Sequence, residues 1–70
     1  MTYTNIELRK TDSGLFIVDD GAPLNPMHKY EALEMANWLA HLALKRGESV
    51  KVVYKTDDGS ELILRCEEVA

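Results

Sequence analysis

The run Lys-Thr-Asp-Ser/Asp-Gly occurs twice in this 70-residue chain, at Lys10 to Gly14 and at Lys55 to Gly59. Each copy lies between stretches that read as β-strands, so two hairpins bracket whatever stands between them. Asp, a small polar residue and then Gly suit a three-residue hairpin loop, a type I turn followed by Gly in the left-handed conformation. Taking Asp57, Asp58 and Gly59 as the loop sets Tyr54 opposite Leu62, Val52 opposite Leu64 and Val50 opposite Cys66, which makes one face wholly apolar. The same loop in the first copy sets Leu8 opposite Val18 and Lys10 opposite Phe16, and leaves Ile6 opposite Asp20. Outside the turns the two copies do not align, so the repeat is shared turn chemistry rather than an internal duplication.

Seventy residues make one domain near the lower size limit for an unaided hydrophobic core, and dimerisation or partner binding could add to its stability. The single cysteine excludes an intrachain disulfide. In the register above Cys66 falls on the apolar face, as a buried free thiol of a reducing compartment would. No apolar run approaches the roughly 20 residues that span a bilayer, and the polar start Met1-Thr2-Tyr3-Thr4-Asn5 does not read as a signal peptide. A cytoplasmic protein with no membrane association is expected.

Eight Lys plus Arg against twelve Asp plus Glu give a net charge of −4, which opposes sequence-independent nucleic-acid binding. A partner protein with a basic surface suits it better. The acids pair at Asp19-Asp20, Asp57-Asp58 and Glu67-Glu68, at a strand end, a hairpin tip and the C-terminus. They read either as solvated turn charges or, for Asp19, Asp20, Asp57 and Asp58, as an acidic docking surface.

Between the hairpins, residues 20–28 contain Gly21, Pro23 and Pro26 and read as a loop. A helix follows over about 29–46, with Asn25-Pro26 or His28 at its start and Gly47 ending it after Lys45 and Arg46. At about 100° per residue, Ala32, Leu33, Ala36, Leu39, Ala40, Ala43 and Leu44 share an arc of roughly 140°, the expected core face. The alanines would let the helix lie close to a sheet, with Leu33, Leu39 and Leu44 carrying most of the burial. Trp38 lies nearly opposite, among Glu31, Glu34, Asn37, His41 and Lys45, with Met35 and Leu42 beside it. This second apolar stripe is either covered by Ala22, Pro23, Leu24 and Met27 of the loop, or it is an interface for a partner or a second copy of the chain.

The sheet has a back face as well. Leu15, Ile17, Val53 and Ile63 are expected there, interspersed with Arg9, Lys51, Lys55, Glu61 and Arg65, as a solvated face or a second interface. Catalytic chemistry is not legible. His28, His41 and Cys66 make no zinc spacing, so neither a metal nor a cofactor is expected. Glu31 and Glu34 lack apolar surroundings that would split their pKa values. The four glycines are isolated turn or cap residues, and Ser13, Ser49 and Ser60 have no base in any motif order. The chain is not expected to be an enzyme.

The expected fold class is α+β, ββαββ in chain order: two hairpins, over about 3–20 and 49–68, forming one mostly antiparallel four-stranded sheet with a single helix on one face. With the helix pattern Tyr30-Glu31-Ala32-Leu33-Glu34-Met35-Ala36-Asn37-Trp38-Leu39-Ala40, this order resembles many small bacterial and phage open reading frames of unknown function. The resemblance implies a compact binding module, often phage-borne, acting in the host cytoplasm on a complex such as RNA polymerase or a defence effector, and it transfers no site residue. The expectation is therefore a non-enzymatic regulator that docks on a larger protein. The alternative is a nucleic-acid-binding module in which Arg9, Lys51, Lys55 and Arg65 contact phosphate and Tyr3 stacks on bases.

Overall fold

A computed structural model describes residues 3–69. In chain order it has β1 (Tyr3–Lys10), β2 (Phe16–Asp19), α1 (Lys29–Lys45), β3 (Ser49–Lys55) and β4 (Glu61–Glu67), an α+β fold. The sheet order is β2-β1-β3-β4. Both hairpin pairs are antiparallel, but the central pair, β1 with β3, is parallel, so the sheet is mixed. A crossover through α1 brings the chain back to the start of the sheet before β3 begins, the connection that a parallel pair requires. Both hairpin turns consequently sit at one end of the sheet, and α1 starts at that end.

The two turns have the same geometry. Thr11 N–H donates to Leu15 O at 2.7 Å and Gly14 N–H to Thr11 O at 3.0 Å. In the second turn, Thr56 N–H donates to Ser60 O at 3.0 Å and Gly59 N–H to Thr56 O at 3.1 Å. Gly14 and Gly59 have φ of 87° and 86°, the left-handed conformation that closes such a loop at no steric cost to glycine.

The register of the first hairpin is as the turn dictates, with Leu8↔Val18 and Lys10↔Phe16, and it ends at Glu7↔Asp19, so Ile6 and Asp20 do not pair. The second begins as expected with Tyr54↔Leu62 and then departs. After Val53↔Ile63 the next pairs are Val52↔Arg65, Lys51↔Cys66 and Val50↔Glu67, a β-bulge that leaves Leu64 as the extra residue. Val52 does not face Leu64 and Val50 does not face Cys66. Cys66 is exposed rather than buried, because the bulge moves it to the side of Lys51. With no helix over β4, burial does not hold the second half of that strand in the expected register.

Helix α1 ends as its sequence predicts. Glu48 N–H bonds Ala43 O and Gly47 N–H bonds Leu44 O, both at 3.0 Å, and Gly47 has φ of 82°, a Schellman termination. Its start is at His28, not Asn25, and no side chain caps it. Ala32, Ala36, Ala40 and Ala43 are fully buried against Ile6, Leu8, Val18, Val50 and Val52. Leu33, Leu39 and Leu44 are only half-buried along the flanks, so the sheet rather than the helical leucines supplies the bulk of the core. This follows from the alanine stripe. A helix with methyl groups on its inner face sits so close to the sheet that the larger side chains beside it are pushed to the margins.

The helix packs on β1, β2 and β3 and does not approach β4. Four strands about 4.8 Å apart are wider than the ~10 Å that one helix covers. At the other edge, the loop after β2 turns back along the sheet. Phe16 N–H donates to Met27 O at 2.8 Å, Met27 N–H to Phe16 O at 2.9 Å, and Leu24 N–H to Val18 O at 2.9 Å. Leu24 and Met27 also pack on the core. Among the described residues no helix is long and apolar enough to cross a membrane.

Candidate protein-docking surfaces

The outer face of α1 carries Trp38, which is 56% exposed. Its ring stacks on that of His41, one turn on, with centroids 5.8 Å apart and planes 29° from parallel. Beside it runs an open groove of about 490 Å³ lined by Asn25, Pro26, Met27, Glu31, Glu34, Met35 and Trp38. The loop forms one wall of this groove and leaves Trp38 uncovered: Leu24 and Met27 are held on β2 and the core, while Ala22 and Pro23 are exposed. The expected stripe is narrower than its sequence suggests. Met35 is half-buried and packs against the core, so it forms the floor of the groove rather than part of an outward stripe. Leu42 is half-buried.

On the back of the sheet the structure brings Ile17, Val53 and Ile63 to one face, because Ile17 pairs with Arg9 and Val53 with Ile63. Leu15 lies in the turn before β2, half-buried and outside the strand, so it does not belong to that face. Val53 is 7% exposed, and Ile63 is 56% exposed. Charged groups run between them in one chain across all four strands. Asp19 pairs with Arg9 at 3.3 Å, Arg9 with Glu7 at 3.4 Å, Glu7 with Lys55 at 4.0 Å and Lys55 with Glu61 at 3.9 Å. Arg65 is not among them, since the bulge places it opposite Val52 on the helix side, where it pairs with Glu67 at 3.1 Å.

Arg9, Lys55 and Arg65, three of the four cations considered for phosphate contact, are therefore already paired with carboxylates. The Tyr3 hydroxyl donates to Glu68, and that bond pushes its pKa up to about 12.

The acidic residues divide in the same way. Asp19 is tied to Arg9 and accepts from Gly21 N–H at 2.9 Å. Asp58 holds its own turn: Oδ1 accepts from the Thr56 hydroxyl, from Ser60 N–H at 3.0 Å and from the Ser60 hydroxyl at 2.7 Å. These bonds, that of Thr56 foremost, lower its pKa to about 2. Glu48 is also lowered to about 2, by its bonds from Arg46 and then from Thr4. Asp19 and Asp58 thus serve the fold, whereas Asp20 and Asp57 are exposed.

Of β4, sequence reasoning offered Ile63 as an interface residue and missed Leu62 and Leu64. Leu62, Ile63 and Leu64 are 57%, 56% and 44% exposed. On the helix side Leu62 and Leu64 border a cleft of about 450 Å³ with Leu8, Phe16, Leu33 and Tyr54, and with Lys10 and Lys29. The available signal was the unbroken Leu-Ile-Leu run, apolar on both faces, in a strand that one narrow helix cannot cover. Among the described residues no group of three His, Cys, Asp or Glu is placed to hold a metal ion. No protein-family model, curated protein or solved structure matches the chain.

Proposed function

We propose that this chain is a small non-catalytic regulator that docks on a larger protein complex, with Trp38 as its anchor. The observation that carries this reading is a tryptophan left 56% exposed on an otherwise regular amphipathic helix, next to a groove that the adjoining loop borders without filling. Large aromatics in such positions form the centres of protein interfaces, where the ring is desolvated by the partner. Glu31 and Glu34 on the groove wall, with exposed Asp20 and Asp57 elsewhere, favour a partner with basic residues around an apolar pocket. The resemblance to small phage and bacterial proteins directs the search to host complexes such as RNA polymerase or a defence effector.

Affinity capture from a host lysate with the parent and with Trp38→Ala tests the proposal. Because the ring is mostly outside the core, the variant is expected to keep its denaturant midpoint within an equivalent of about 1 kcal/mol. It should lose the captured partner, a weakening of about 2 kcal/mol or more. A variant that captures the same partner equally well would remove Trp38 from the interface.

A further inference from the structure

The two hairpins provide a built-in control for what the β4 edge requires. Their turns close through the same pair of backbone bonds, so aligning Gly14 with Gly59 sets Phe16 against Glu61 and Val18 against Ile63. In an antiparallel ladder the residues alternate between those whose N–H and C=O face the partner strand and those whose groups face outward. Counting from the turn, Phe16 and Val18 are the outward residues of β2. The Phe16 N–H and C=O are taken by Met27 and the Val18 C=O by Leu24. The same count makes Glu61 and Ile63 the outward residues of β4, and β4 is the sheet's other edge, with no strand or loop along it among the described residues.

We infer that the β4 edge pairs antiparallel with β4 of a second copy of this chain, about a two-fold axis at Leu62. This goes beyond the Trp38 reading and rests on different residues. In that register Glu61 of each copy meets Ile63 of the other, so the outward groups of both residues are satisfied reciprocally, by about four backbone hydrogen bonds. Leu62 meets its own symmetry mate at the closest side-chain spacing in the ladder, with Leu64 on the diagonal, which gathers the exposed leucines of both copies over one cleft.

Within the paired segment Glu61 keeps Lys55 and falls opposite an isoleucine, with the other copy's Glu61 on the diagonal, and the Asp57-Asp58 turn of each copy is carried toward the Arg65–Glu67 pair of the other. Of the usual guards against such pairing, Lys and Pro are absent from β4, and its Arg65, Glu67 and bulge all lie beyond Ile63, which leaves the paired segment regular. A two-fold axis normal to the sheet puts both α1 helices on the same side, so the dimer presents two Trp38 surfaces to one partner assembly.

Sedimentation equilibrium over a concentration series, with the parent, Leu62→Glu, Leu62→Lys and an equal mixture of the two variants, tests this inference. Leu62 is 57% exposed, so the folded circular dichroism spectrum should persist in every sample. The parent is expected to pass from monomer to dimer. Each variant alone sets like charges face to face on the axis and should associate at least about tenfold more weakly, while the mixture should recover the dimer. Amide exchange on the parent gives a reading that depends on no variant: the Glu61 and Ile63 amides should exchange slowly in concentrated solution and fast in dilute solution. A parent that stays monomeric, a dimer indifferent to both folded variants, a folded mixture that fails to recover, or Glu61 and Ile63 exchange that ignores concentration would each overturn the inference. None of these results bears on capture through Trp38.

Discussion

The two edges of the sheet begin from the same local instructions and end in opposite environments. Each outer strand leaves a turn of one geometry, so each offers its outward backbone groups at matched positions. Along β2, Leu24 and Met27 bond both outward groups of Phe16 and the carbonyl of Val18, and pack their apolar side chains on the core. Along β4 there is no such segment among the described residues, and Leu62, Ile63 and Leu64 face solvent. A hairpin turn therefore fixes which groups need a partner, while burial and pairing depend on what lies alongside. Matched positions on the two strands should respond very differently to the same substitution.

The largest expected difference is between Val18 and Ile63. Val18 is fully buried beneath α1, so Val18→Asp places a carboxylate where it has neither water nor a counter-ion. A loss above about 4 kcal/mol, enough to abolish the cooperative urea transition of a domain this small, is expected. Ile63→Asp at the matched, exposed position should change the stability of the monomer by no more than about 0.5 kcal/mol, measured in dilute solution. The turn match sets Val18 under α1 and Ile63 on the open back face, so comparable damage at both would mean that the back of the sheet at β4 is as enclosed as the helix side at β2.

This contrast also marks how far the sequence could be read. Turn chemistry and apolar period located all five elements, the first hairpin's register and the alanine face of α1, because each depends on neighbours in the chain. The parallel β1–β3 pairing, the bulge at Leu64 and the exposure of Cys66 depend on how the hairpins lie against one another and how much sheet one helix can cover. The candidate site divides along the same line. The outward position of Trp38 was legible from helical geometry alone, while the choice between cover by the loop and exposure was not, since it depends on where Leu24 and Met27 pack. Met35 was misplaced because the helix sits close enough to the sheet to draw it toward the core. Arg65 was misplaced by one residue of bulge. Asp19 and Asp58 could not be separated from free surface acids until Arg9, Thr56 and Ser60 were placed beside them.

A smaller effect tests whether the turns are equivalent, as the comparison of edges assumes. Gly14 and Gly59 both adopt positive φ, and a Cβ added at either meets no atom within 4 Å, so the cost of substitution lies in the backbone and not in a clash. Gly14→Val and Gly59→Val should each cost about 1–3 kcal/mol, read from urea midpoints. The two losses should agree within about 0.5 kcal/mol, and a clear inequality would undo the matching of Phe16 with Glu61 and of Val18 with Ile63.

The smallest effect lies in the chemical difference between the two three-residue loops, Asp-Ser-Gly and Asp-Asp-Gly. Where the second has Asp58, the first has Ser13, whose hydroxyl meets that of Thr11 at 2.9 Å. Asp58 is lowered from 3.8 to about 2 by the bonds from Thr56 and Ser60 to its ionised form. A carboxyl whose pKa is lower in the folded than in the unfolded chain contributes stability that is fully present above the unfolded value and disappears as pH falls through the folded value. The second turn should therefore lose support as the solution is acidified from about pH 4 to about pH 2, and the first should not. Glu48 titrates over a similar window through Arg46 and Thr4, so the parent's acid limb mixes the two groups. Asp58→Ser isolates the turn. It gives the second loop the first loop's Asp-Ser-Gly, removes one titrating group and leaves Glu48 in place. Urea midpoints taken at intervals between neutral pH and pH 2 should fall less steeply for the variant, and the two curves should converge at the acid end. Parallel curves would show that the hydrogen bonds to Asp58 hold the turn no more firmly than a serine does, and the two turns would then be equivalent in energy as well as in shape.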